Sequence, residues 1–149
     1  MRYAHLIRLS VFSHENGNSE EILEAFLRLF PFSLEENKVK LERTAAAGFN
    51  ESKIQIFEVV LAKASLINQF LDFVTGSLDE NQKQTIIGQS ESRLDENLDF
   101  FVRFDKDQWV KNGKLELTDA GNCFHLKIGI AAFPKKREIA LNAIRELFA

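Results

Sequence analysis

Residues 3–14, YAHLIRLSVFSH, alternate without a break: His5, Ile7, Leu9 and Val11 fall on one side, and Leu6, Arg8, Ser10 and Phe12 on the other. A period of two lets a strand bury one face, and a one-residue slip would carry the whole apolar set to the wrong side. A strand of this kind is not stable alone. It requires partners in a sheet, with one face packed against helices and the other left mixed.

The rest of the chain supplies those partners. Asn18-Ser19-Glu20-Glu21 has capping-box spacing, and Ile22, Leu23, Phe26, Leu29 and Phe30 then recur at helical intervals up to Pro31. Residues 37–47 and 53–62 are strand-like on either side of Gly48-Phe49-Asn50-Glu51-Ser52, which predicts a hairpin. Leu66, Ile67, Phe70, Leu71, Phe73 and Val74 mark a second helix ending near Gly76, and Asp79 to Gln82 cap a third, more polar one that ends between 88 and 92.

In the stretch 99–106, Phe101, Arg103 and Asp105 share one strand face and Phe100, Val102 and Phe104 the other. Asn112-Gly113 signals a turn, LELT at 115–118 a short strand, and Asp119-Ala120-Gly121 another turn. A last strand over 123–132 runs into a terminal helix with an apolar stripe of Ala140, Ala143, Ile144, Leu147 and Phe148. Pro134 is expected at that helix's first position, where its missing N–H is harmless. The predicted order is β-α-β-β-α-α-β-β-β-α, an α+β class with a mostly antiparallel sheet and helices packed on one face. Residues 1–149 form one domain, with no linker or repeat between its elements.

The 149 residues suffice for a core without metal or disulfide help, and 14 phenylalanines against one Trp and one Tyr fill it with rings that carry no polar atom. The single cysteine, Cys123, excludes an internal disulfide and a cysteine-based zinc site. No apolar run reaches the roughly 18 residues of a membrane helix, and Arg8 interrupts the first apolar stretch, so no signal peptide is expected and a cytoplasmic location is.

Catalytic constellations are weak. His5, His14 and His125 lie on separate strands rather than at helical metal-ligand spacing; Cys123 and His125, two apart on one strand, read as a core thiol beside a sheet histidine. The seven glycines are scattered singly, with no phosphate-binding loop or nucleophile elbow. The expectation is a protein that is not an enzyme and takes no metal or cofactor.

The cations are better placed. On the sheet face away from the helices the alternation collects Arg8, Lys38, Lys40, Arg103, His125 and Lys127, a local basic field on a chain of net charge −3. Lys135, Lys136 and Arg137 follow Pro134 at a helix start, where the helix dipole disfavours cations but favours a bound anion. Solubility and edge protection account for strand lysines equally well. A cluster at free backbone amides fits phosphate oxygens.

The string LDFFVRFDKDQWVKNGKLELTDAGNCFHLKIGIAAFPKKREIALNAIRELF at 98–148, with AHLIRLSVFSHENGNSEEILEAFLRLFP at 4–31, resembles an archaeal family of small proteins described as predicted RNA-binding proteins and predicted exosome subunits. The shared pattern is carried by Arg103, Phe104, Asp105, Lys106, Gly113, Pro134, Lys136 and Arg137. The resemblance implies an α+β fold similar to a ribosomal protein and to double-stranded RNA-binding domains, with no catalytic activity. It also implies RNA as partner, exosome or ribosome-related proteins as associates, and dimers for several members.

The reading that results is a non-catalytic protein that recognises structured RNA through phosphate contacts from Arg8, Lys40, Arg103, Lys127, Lys135, Lys136 and Arg137. The alternative is a homodimeric protein-interaction adaptor that uses the same face, with Phe12, Phe57 and Phe101 as its apolar members. Four or more unpaired bases and no apolar patch favour RNA; a wide apolar patch favours the adaptor.

Overall fold

A computed structural model describes residues 2–14, 18–47 and 53–149. Among them the chain forms β1 (Ala4–His14), α1 (Ser19–Leu27), β2 (Glu42–Ala47), β3 (Lys53–Leu61), α2 (Ala64–Ser77), α3 (Glu80–Gly88), α4 (Ser90–Arg93), β4 (Asp99–Asp105), α5 (Lys106–Asn112), β5 (Cys123–Ile130) and α6 (Arg137–Leu147). The predicted turn at 48–52 lies outside the described residues.

The strands make one sheet in the order β2-β3-β1-β5-β4, every pair antiparallel. β1 takes the centre because its alternation holds: Ile7, Leu9 and Val11 are buried and Arg8, Phe12 and His14 exposed. The inner face continues through Phe57, Val59 and Leu61 of β3, Phe124, Leu126 and Ile128 of β5, and Phe100, Val102 and Phe104 of β4, and it packs against Phe26, Ile67, Phe70, Ile144 and Phe148 from the helices. The α+β class and the one-sided helix layer are as the sequence predicts. None of the helices among the described residues is long and apolar enough to cross a membrane.

Four local readings are corrected. The predicted strand over 37–47 is only Glu42–Ala47; Lys38 turns through a positive φ of 57° and Lys40 precedes the strand. Residues 115–118 make a single bridge, Leu117 to Phe104, rather than a strand, because the outer edge of β4 is met only where the Asp105 amide donates to the Glu116 carbonyl and the Thr118 amide to the Arg103 carbonyl. Between them the chain forms α5, unread in the sequence, whose signal is Asp105: its carboxylate accepts from the Gln108 amide at 2.9 Å. At the other end Gly113 sits at φ 62°, a left-handed cap that suits glycine.

The fourth correction concerns Pro134. The Phe133–Pro134 bond is cis and α6 begins at Arg137, with Lys136 in the N-cap position, so the proline precedes the helix instead of opening it.

Candidate nucleic-acid interface

Register decides which polar side chains of the outer face become neighbours. Arg8 pairs with Lys127, and Ser10 pairs with His125, which in turn pairs with Arg103. Lys127 also pairs with Phe101, whose ring lies 5.6 Å from that of His125. Two cations, Arg103 and Lys127, thus flank one imidazole on the face turned away from the helices, and Arg8 lies across from Lys127 on the next strand. A fourth, Arg93 of α4, reaches the rim and donates to the Phe101 carbonyl at 3.2 Å.

These cations are held rather than idle. Arg8 Nε lies 3.8 Å from Glu58, Lys127 Nζ lies 3.4 Å from Asp99, and Arg103 donates to the Asp119 carbonyl at 3.2 Å. The Arg8–Glu58 pair, long and well exposed, contributes little to stability, so a phosphate can compete for that cation. The electrostatic signature of the cluster is on His125. Burial, then Arg103 and Lys127, push its pKa below the ordinary histidine value, so it is neutral at physiological pH. Burial likewise lowers Arg93, against Asp119, while Arg103 adds to the lowering.

The remaining predicted cations separate into two groups. Lys40 lies off the sheet face and pairs with Glu42 at 3.2 Å. Arg137 is structural: its guanidinium donates to the carbonyls of Leu94 at 3.0 Å and Glu91 at 2.6 Å and approaches the Glu91 carboxylate at 3.4 Å, tying α6 to α4. Lys135 and Lys136 are exposed, and among the described residues no side chain caps the first turn of α6. They stand at the end of the sheet where β1 begins and β5 ends, since the Ala131 amide donates to the Tyr3 carbonyl there. This is also the end nearer Arg8 and Lys127.

The face is not purely basic. Phe12 is 46% and Val60 36% exposed, with Ile54 and Ile56 half-buried in the rows beside Phe12. Phe57, expected on this face, is fully buried on the other: its register with Val11 places it among the inward set, with Arg43 across its ring. Arg93 was missed because it lies on a helix of four residues that only the tertiary packing brings to the sheet. Among the described residues no group of histidine, cysteine or acidic side chains is arranged to hold a metal ion.

Comparison with known proteins gives the chain's relatives. A family model described as RNA binding matches residues 6–130. An RNA-binding protein of Pyrococcus abyssi is 29% identical over 143 residues, covering 96% of this chain and 92% of that one. Among solved structures, a DUF54 protein of Archaeglobus fulgidus superposes with a TM-score of 0.80 at 28% identity, and one of Methanothermobacter thermautotrophicus with 0.79 at 26%, each covering 99% of both chains.

Proposed function

Because the chain belongs to the RNA-binding family whose model spans most of it, we propose that it binds structured RNA, without catalysis, through phosphates seated on the outer face of the sheet. The observation that carries this is the row of Arg8, Lys127 and Arg103 on neighbouring strands, with Arg103 and Lys127 flanking His125, three strands wide and clear of the helices. Lys135 and Lys136, beside the uncapped first turn of α6, extend the field beyond the end of the sheet.

An RNA duplex displays phosphates and 2′-hydroxyls across a wide, shallow minor groove, so cations spread over a sheet face read its shape with few base contacts. Carboxylates at Glu58 and Asp99 exchange their cations for phosphate and keep binding modest and salt-dependent. Neutralising roughly three to five phosphates gives a log–log salt slope of about −2.7 to −4.5. Work on RNA in the cytoplasm, alongside processing assemblies such as the exosome, is the setting this reading fits.

Fluorescence anisotropy with a labelled RNA duplex, at two salt concentrations, tests it. The Arg8→Gln/Lys127→Gln variant should lose about tenfold or more in affinity with a shallower salt slope. Wild-type protein that binds no RNA at low salt, and sediments as a dimer abolished by Val60→Glu, would replace this reading with the homodimeric adaptor.

A further inference from the structure

At the opposite end of the same face a cleft of about 260 Å³ is lined by Phe12, His14, Ile54, Lys106, Gly121 and Asn122. Its origin is a difference in strand length. β1 continues to His14, but its last partner in β5 is Val11 to Phe124, so the carbonyl of Phe12 has no ladder partner on that side. Lys106 fills the gap: its ammonium donates to the Phe12 carbonyl, and the Lys106 amide donates to the Asn122 carbonyl at 3.2 Å, drawing the 119–122 loop over the site.

Lys106 is an unusual residue to bury. It is only 6% exposed, yet among the described residues it makes no ion pair and one side-chain hydrogen bond, although an ammonium carries three donors. A buried cation with unused donors is costly unless something anionic completes it. Phe12 in the same lining is 46% exposed, and His14 and Asn122 add polar side chains to it. Asn122 spends one amide N–H on Asp107 at 3.3 Å and, among the described residues, makes no other side-chain hydrogen bond.

We propose that this cleft takes one unpaired nucleotide of an RNA strand, its base stacked on the Phe12 ring and its phosphate on the Lys106 ammonium, with His14 and Asn122 at the rim. The proposal rests on the RNA reading above and sharpens it: Phe12 and Arg8 are four residues apart on β1, about 13 Å, so the preferred ligand is a duplex on the basic end with a single-stranded overhang reaching the cleft. The volume is of the order of a single nucleotide. Burial also lowers the Lys106 pKa, with Cys123 and Asp107 opposing, and a phosphate seated there would favour the charged form against that burial.

The test compares a blunt RNA duplex with the same duplex carrying a short 3′ or 5′ overhang, the overhang ending in a phosphate or a hydroxyl, on wild-type protein and on Phe12→Ala and Lys106→Met. Wild type should prefer the overhang by about tenfold, the lower part of the range for one stacked base, and both variants should lose that preference while holding the blunt duplex as wild type does. A gain confined to the terminal phosphate identifies a strand end as the occupant; equal gain with a terminal hydroxyl identifies an internal phosphate. Equal affinity for blunt and overhung duplex, or a preference that survives Phe12→Ala, overturns the cleft while leaving the duplex reading intact. Failure of wild type to bind either RNA overturns both. If Lys106→Met does not fold, Phe12→Ala decides, because that exposed ring contributes nothing to the core.

Discussion

Arg137 and Lys136 are adjacent cations at the start of α6, and the structure gives them opposite duties. Arg137 makes two well-formed hydrogen bonds, to the carbonyls of Leu94 and Glu91, that hold α6 against α4. Bonds from a charged donor are worth about 1.5–3 kcal/mol each when fully sheltered. The Arg137 side chain is 41% exposed and Glu91 74%, so water rehydrates part of what a deletion uncovers. Discounting the pair by half or more leaves about 2 kcal/mol for Arg137→Ala, which for a chain of this size lowers the melting temperature by about 4–8 °C. Among the described residues the Lys136 side chain has no partner to lose, so Lys136→Ala should leave the melting temperature within about 1 °C and instead flatten the salt dependence of RNA binding by about one unit of slope. Thermal melts and salt-dependent RNA titrations of the two single variants separate the effects. Equal melting temperatures for the two variants would refute the assignment of Arg137 to the scaffold.

Other consequences can be measured directly. The His125 pKa is lowered in the fold, so the unfolded chain takes up its proton first as pH falls; stability is complete above about pH 6.5 and declines below it. Urea midpoints at about pH 8 and pH 5 should therefore differ more for wild type than for His125→Gln, and an equal difference would assign the loss to other groups. Trp109→Phe removes the indole N–H that donates to the Ala25 carbonyl at 2.7 Å inside the core, and should cost about 1–3 kcal/mol in denaturant unfolding while leaving RNA affinity unchanged. Phe148→Ala, emptying a fully buried site that faces Phe100, should cost about 3–5 kcal/mol by the same measurement.

Much of the architecture is legible in the residues themselves. The alternation of Ile7, Leu9 and Val11 specifies a half-buried strand, and the spacing of Phe26, Ile67 and Phe70 supplies the helical stripes that cover it. The same alternation correctly assigns Arg8, Arg103, His125 and Lys127 to one face, because side-chain direction along a strand depends only on parity. Parity needs a correct strand and register, which is why Lys40, in the segment ahead of β2, and Phe57, set inward by its pairing with Val11, were misplaced.

The other decisions belong to tertiary structure. Nothing local distinguishes Arg137 from Lys136 or Lys135; the carbonyls of Leu94 and Glu91 that claim its guanidinium lie more than forty residues away in sequence. Lys106 follows a strand in a polar stretch and reads as solvated, yet it is buried because β5 stops short of β1 and leaves the Phe12 carbonyl, ninety-four residues distant, for its ammonium to satisfy. Periodicity determines which side of its own element a residue occupies. Which distant backbone group it must satisfy there, and so whether a cation is scaffold, open surface or the floor of a cleft, depends on where neighbouring strands begin and end, a property of the assembled sheet.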